Sequence, residues 1–256
     1  EGWIPGFGAY LIARQAGLNC SFAGAEQDLP DANFYIVTSA DTDQSFTYIA
    51  QKRIYEKAAN GATVLLIYSA ESRFTQLREH AGVKVDFCSR AACERRFALA
   101  AHPDRALYTW DKSTCRLLSA EAEVLAKTAA GEPMFTRHAL GKGQVLLFNA
   151  PIDRLAVDRA DALSGKWIQP YYLPFRETAK LAGVKHVVEK GDCPWVALTE
   201  HPAADGSTIV MAINFEPRAM ECPVKINGKP GHVWRGDVRA GKIVLPPNEV
   251  ALFEVK

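Results

Sequence analysis

Along the first ninety residues, helix-like and strand-like apolar patterns alternate. Tyr10, Leu11, Ala13 and Arg14 lead into Gly17 and predict a helix closed by the glycine that commonly follows one. Leu18–Phe22 reads as a short strand and Asp28-Leu-Pro-Asp-Ala as a polar connection. The unbroken run Phe34-Tyr-Ile-Val-Thr has strand length, and its lack of alternation suits a sheet covered on both faces. Phe46, Ile49, Ala50, Ile54 and Ala58 recur at helical spacing before Asn60-Gly61, and Thr63-Val-Leu-Leu-Ile-Tyr is the next buried strand. Ser72 is placed to cap a helix that carries Phe74 and Leu77 and stops at Gly82. This β-α-β-α order calls for a parallel sheet with right-handed crossovers.

A doubly wound domain normally starts with a strand, whereas this chain opens with a Gly- and Pro-containing stretch and then a helix. The expectation is that a first strand lies upstream of Glu1. From about Arg95 the rhythm changes to short strands: Arg96–Ala100, Ala106–Trp110, Thr114–Leu118, Glu123–Thr128, Met134–His138, and a further buried strand after Gly141-Lys-Gly. A helix-rich stretch runs from Asp153 through Lys166-Trp167 to Leu181, with Pro170 and Pro174 near its start or at a kink and Gly183 as its stop. The remainder is all-β in pattern, from Trp195 to Val255, with turns at Asp205-Gly206, Asn227-Gly228 and Pro246-Pro247-Asn248. The expected domains are therefore an α/β domain over residues 1–184 and a small antiparallel β-sandwich over 185–256.

Composition narrows the partners. The 256 residues are 48% hydrophobic and 23% charged, which suits a folded globular chain. A net charge of +1 gives no global field for nucleic acid or anionic lipid, and runs such as Thr63–Tyr68 are too short to span a bilayer. The six cysteines, at positions 20, 88, 93, 115, 193 and 222, form no C-x-x-C pair. No metal or other cofactor is expected. A chain of this size does not need staples, so reduced thiols and a cytoplasmic location are the expectation.

Candidate chemistry is sparse. Gly6-Phe-Gly8 lacks the third glycine and the preceding strand of a dinucleotide turn and reads as a loop or linker. Gly141-Lys142-Gly143 lacks the rest of a P-loop and reads as a tight turn between strands. Ser69 follows a buried parallel strand, where a nucleophile can be presented, but Ile67 and Glu71 are too large for a sharp elbow. Cys88 also lacks flanking glycines, although histidines at 80, 102, 138, 186, 201 and 232 leave a triad open. Glu71, Glu94, Glu121, Glu123 and Glu177 are available for glycoside cleavage, yet spacing brings no two together. Trp3, Trp110, Trp167, Trp195, Trp234 and the pair Tyr171-Tyr172 are candidates for stacking on sugar rings or for the core. No catalytic, cofactor-binding or metal-binding residue is assigned.

The order of pieces is nonetheless specific. The stretch "AYLIARQAGL…DLPDANFYIVTS…YEKAANGATVLLIYSAESRF" resembles the middle domain of family-42 β-galactosidases and related glycoside hydrolases. Asn60-Gly61 stands where that family has a double glycine, and Thr38-Ser39 where a proline often sits. "EAEVLAKTAAGEPMFTRHALGKGQVLLFNAPID" is similar to the closing segment of that domain, and "IVMAINFEPRAMECPVKING…GKIVLPPNEVALFEV" to the family's small C-terminal β-domain. The resemblance covers nearly the whole chain. It implies an amidotransferase-like, flavodoxin-like fold with a mostly parallel sheet flanked by helices. It also implies an N-terminal (β/α)₈ catalytic barrel as partner in the parent chain, and a homo-oligomer.

That barrel, which carries the family's two catalytic glutamates, has no counterpart here, because the βα alternation stops after about residue 90. The resulting reading is a non-catalytic accessory and oligomerisation portion of a carbohydrate-cleaving enzyme, with a sizeable exposed apolar patch. Two alternatives stand beside it. One is a free-standing amidotransferase-like or sugar-metabolism enzyme, which would need a reactive Cys88, Cys20 or serine. The other is a carbohydrate-binding module, which would need an exposed platform at Trp195, Trp234 or other aromatics.

Overall fold

The computed structural model describes residues 3–39, 46–158, 169–239 and 241–256, with Trp3 as backbone only. Helix α1 (Trp3–Ala16) ends at Gly17, which takes the left-handed φ of +83°. Gly6 and Gly8, expected in a loop, lie inside α1. Strands β1 (Phe34–Val37) and β2 (Thr63–Ile67) flank α2 (Tyr48–Ala59), whose N-terminal cap is the Thr47 hydroxyl accepting the Ala50 amide at 3.3 Å. After the short α3 (Leu77–Ala81) come β3 (Val83–Ser89), β4 (Cys93–Leu99), β5 (His102–Asp111), β6 (Thr114–Ser119), β7 (Glu123–Thr128), β8 (Pro133–Leu140) and β9 (Gly143–Phe148). Helices α4 (Ile152–Val157) and α5 (Tyr172–Leu181) follow. Pro174 sits in the first turn of α5, where the missing N–H costs nothing, and Trp167 lies outside the described residues.

Seven strands form one mixed sheet in the order β1-β2-β9-β8-β7-β4-β5. Only the β1/β2 and β2/β9 pairs are parallel, so the expected mostly parallel sheet is confined to three strands. The reason is the connection: Gly141-Lys142 returns β8 directly onto β9, and so tight a hairpin can pair its strands only antiparallel. A second sheet of two strands joins β3 to β6.

Two further expectations fail locally. Leu18–Phe22 forms no strand and pairs with no described strand, and its residues from Asn19 on are exposed. Ser72 caps no helix, because its hydroxyl instead accepts the Ser69 amide at 3.1 Å and α3 begins only at Leu77.

The centre of the sheet is dry. Val64–Ile67 and Val145–Phe148 are each 0% exposed, as the unbroken apolar runs demand. Val64, Leu66, Val145 and Leu147 pack with Ile54, Tyr55 and Ala58 of α2 and Leu77 and Ala81 of α3. Alternation sends Leu65, Ile67, Leu146 and Phe148 to the opposite face, where α5 packs on β2 and Phe148 meets Phe97 and Phe135, each at 5.7 Å.

The chain clusters into two compact units. One holds residues 3–9, 22–39, 46–158 and 169–184; the other holds 10–21, 185–239 and 241–256. The second unit carries β10 (Val188–Lys190), β11 (Val196–Pro202), β12 (Thr208–Asn214), β13 (Met220–Ile226), β14 (Pro230–Arg235), β15 (Asp237–Arg239), β16 (Lys242–Leu245) and β17 (Val250–Val255). These make two antiparallel four-stranded sheets, β10-β13-β16-β15 and β11-β12-β17-β14, which share one core around Val196, Val210, Cys222, Ile243 and Phe253.

Gly143 shows how closely the hairpin lies on α2: a methyl group there would overlap the carbonyls of Ala58 and Ala62. Gly143→Ala should therefore lower the unfolding free energy by about 3 kcal/mol. Gly131→Ala meets no atom within 4 Å and answers only to its left-handed φ, so it should cost about 1 kcal/mol. Urea denaturation of both variants reads the contrast; equal losses would refute the close approach.

Candidate functional site

In α/β sheets, ligands gather at the C-terminal ends of parallel strands, and three segments leave the sheet there. Ser39 follows β1, Ser69 follows β2, and Asp153 lies in the first turn of α4 after β9. Ser39 and Asp153 are both 0% exposed. The Ser39 amide donates to Asp153 Oδ2 at 2.7 Å, its hydroxyl donates to Oδ1 at 2.5 Å, and the Arg154 amide donates to Oδ1 at 2.9 Å. Burial pushes the Asp153 carboxyl up to about 6, although these donors pull the other way. Gly8 packs against the Asp153 backbone so closely that a side chain there would overlap the Asp153 carbonyl.

Ser69 is held in a turn. Its hydroxyl shares a 3.1 Å hydrogen bond with the Ser72 hydroxyl and accepts the Glu71 amide at 3.2 Å. Five of the six histidines are engaged elsewhere: His80 stacks on Tyr55 at 4.0 Å, His102 meets Glu177 at 2.9 Å and His186 meets Glu200 at 3.7 Å. His201 bonds Thr199 at 2.9 Å, and His232 packs edge-on to Trp234 at 5.2 Å.

Cys88 is not a free thiol. It forms a disulfide with Cys115, which corrects the expectation of reduced cysteines; Cys20, Cys93, Cys193 and Cys222 are in no disulfide. The bond crosses the β3/β6 pair at directly opposed positions, closing a loop of sequence separation 27. A loop of that length contributes about 3.5 kcal/mol in the chain-entropy account. Cys20 lies at the surface; partial desolvation raises its pKa, with Arg14 opposing, so it is not an activated nucleophile.

Beside this disulfide lies a cavity of about 690 Å³, a size suited to a small ligand. Glu71, Arg73, Ser89, Arg90, Lys112 and Ser113 line it, along with Cys88 itself. Glu71 is paired with Arg154 at 3.3 Å, so the lining is net cationic. Arg95 of β4 is buried and pairs with Glu132 at 3.2 Å.

The candidate glutamates do not assemble into a pair: each meets a different partner. Glu121 meets Arg78 at 3.8 Å, Glu123 meets Arg137 at 3.6 Å, Glu177 meets Lys180 at 2.7 Å, and Glu94 takes the Tyr108 hydroxyl. Among the described residues no cluster of three or more His, Cys, Asp or Glu is arranged to hold a metal, and no helix is long and apolar enough to cross a membrane. Of the aromatics, Trp110 and Trp234 are exposed, while Trp195 is half-buried beside the Arg218 guanidinium. Tyr171 and Tyr172 are core residues; the Tyr171 hydroxyl donates to the Tyr108 carbonyl at 2.6 Å. Sequence reasoning missed the Ser39–Asp153 pair, whose only signal was a hydroxyl residue just past one buried strand and an acid just past another.

Compared by sequence, the chain matches no protein-family model and no curated protein. Its fold does match solved structures. It aligns with the β-galactosidase from Bacillus circulans sp. alkalophilus at a TM-score of 0.69 and 15% identity, over 100% of this chain and 38% of that one. For a β-galactosidase from Rahnella sp. R3 the TM-score is 0.70 at 15% identity, over 96% of this chain and 36% of that one. A family-42 β-galactosidase from G. stearothermophilus gives 0.62 at 16% identity, over 97% of this chain and 35% of that one. The chain thus spans little more than a third of these enzymes' length, and at the level of fold the resemblance read from its sequence holds.

The raised Asp153 pKa carries a sign. An unfolded aspartate titrates near 4, so the folded state holds this proton more tightly, and the stability it confers is lost as pH rises from about 4 through about 6. Asp153→Asn should remove that slope. Relative to wild type it should gain up to about 3 kcal/mol between about pH 4 and about pH 7. Chemical denaturation of both proteins across that range measures it, and a pH-independent difference would show that the carboxyl is not desolvated.

Proposed function

We propose that this chain is a non-catalytic accessory and assembly portion, C-terminal in position, of a β-galactosidase-like glycoside hydrolase whose chemistry resides on a (β/α)₈ barrel. The observation that carries the reading is the end-to-end match of this chain to about a third of such enzymes. On this reading the first unit is an amidotransferase-like domain. Support comes from the parallel trio β1-β2-β9, with α2 and α3 packed on one face and α5 on the other. The second unit is read as a β-sandwich because its two antiparallel sheets share a core.

The stand-alone enzyme is the weaker reading, because Ser69 is bonded into a turn and Cys88 is bonded to Cys115. An assembly role is supported by the β3/β6 ribbon, which leaves Val85, Phe87 and Leu118 exposed; Phe87 is 53% exposed. The disulfide argues for an oxidising compartment rather than the cytoplasm.

Sedimentation of the chain over a concentration series, with hydrolysis of a nitrophenyl galactoside followed in parallel, tests this. Self-association without turnover is expected, weakened about thirtyfold by Phe87→Asp. A monomer that hydrolyses the galactoside unaided would overturn it.

A further inference from the structure

The cationic cavity beside the disulfide has a composition that an assembly role does not require. Arg90 follows the end of β3, and Lys112 lies in the turn between β5 and β6, so the two cations stand at the same end of the ribbon. Neither side chain makes a hydrogen bond or ion pair with another described residue. Glu71 of the lining pairs with Arg154 at 3.3 Å, Asp86 pairs with Arg116 at 3.7 Å, and Asp111, next to Lys112 in sequence, accepts the Ser113 amide at 3.4 Å through one oxygen. The Cys88–Cys115 bond ties β3 to β6 one register position before Ser89 and Thr114, at the end of the ribbon where both cations stand. Like charges held close to one another repel, and an anion placed between them removes that repulsion. The hydroxyls of Ser89 and Ser113 add neutral hydrogen-bonding groups, and the volume exceeds what a bare inorganic ion fills.

We infer that this cavity binds an anionic sugar, with a carboxylate or sulfate ester held between Arg90 and Lys112 and the ring hydroxyls facing Ser89 and Ser113. The anion follows from the unpaired cations alone. Only the sugar rests on the glycoside-hydrolase reading. A guanidinium suits a carboxylate or sulfate because its N–H groups match two oxygens at once, and Lys112 supplies a point charge on the other side.

Calorimetric titration of the full chain with galacturonate, galactose 6-sulfate, neutral galactose and inorganic sulfate separates the parts. Either or both acidic sugars should bind, weaken as salt rises, and bind more tightly than inorganic sulfate, while neutral galactose gives no heat. Arg90→Ala and Lys112→Ala should each raise Kd about tenfold without changing the melting temperature, since both residues are exposed. No binding by any of the anions, or binding that ignores both substitutions, overturns the site. Inorganic sulfate binding as tightly as the acidic sugars overturns the sugar assignment. Neither result touches the assembly reading, which sedimentation tests separately.

Discussion

Two adjacent parallel strands, β2 and β9, are buried along nearly their whole length, and most of the first unit is arranged around that fact. A parallel pair with no polar face must be covered from both sides. Here α2 and α3 cover one face, while α5 and the Phe97–Phe135–Phe148 cluster cover the other. The same burial decides what can stand at the strand ends. Groups leaving a dry sheet must bring their hydrogen-bond partners with them, as Ser39 does for Asp153 and Ser72 does for Ser69.

Between β2 and β9 the chain departs on a long excursion, and the excursion builds the antiparallel half of the sheet together with the β3/β6 ribbon. Its return through Gly141-Lys142-Gly143 is tight because α2 lies directly beneath the turn. The ribbon has few buried side chains of its own: β3 buries only Val83. The Cys88–Cys115 bond therefore supplies an order that packing does not. That bond and the exposed Phe87 belong to this ribbon, and the cationic cavity lies between one end of it and the segment after β2.

Much of the local structure was legible where a single physical signal dominated. Phe34–Val37, Thr63–Ile67 and Gly143–Phe148 are strands because these apolar runs are short, rich in β-branched and aromatic or leucine side chains, and bounded by turn residues, and Gly17 and Gly61 stop helices as glycine does. Gly141-Lys142-Gly143 is the tight turn its spacing suggested. What sequence could not supply was pairing. Nothing in Arg96–Ala100 or Ala106–Trp110 reveals that these strands extend the parallel sheet antiparallel, and Leu18–Phe22 has strand composition but no partner strand among the described residues. Gly6 and Gly8 misled for a related reason: a helix accepts glycine where another backbone approaches, and the approaching backbone, Asp153, is far away in sequence. The disulfide was hidden likewise, since six cysteines in a large chain do not reveal which two face each other.

If the dry β2/β9 pair is the constraint on which the first unit rests, its amides should open only when that unit unfolds. Native-state hydrogen exchange resolved by NMR is the direct measurement. The amides of Val64–Leu66 and Leu146–Phe148 should share one opening free energy, equal to that of global unfolding of the unit and higher than that of the β3/β6 ribbon. Exchange of these amides through a separate, lower-energy opening, while the ribbon or the antiparallel strands stay protected, would contradict the account.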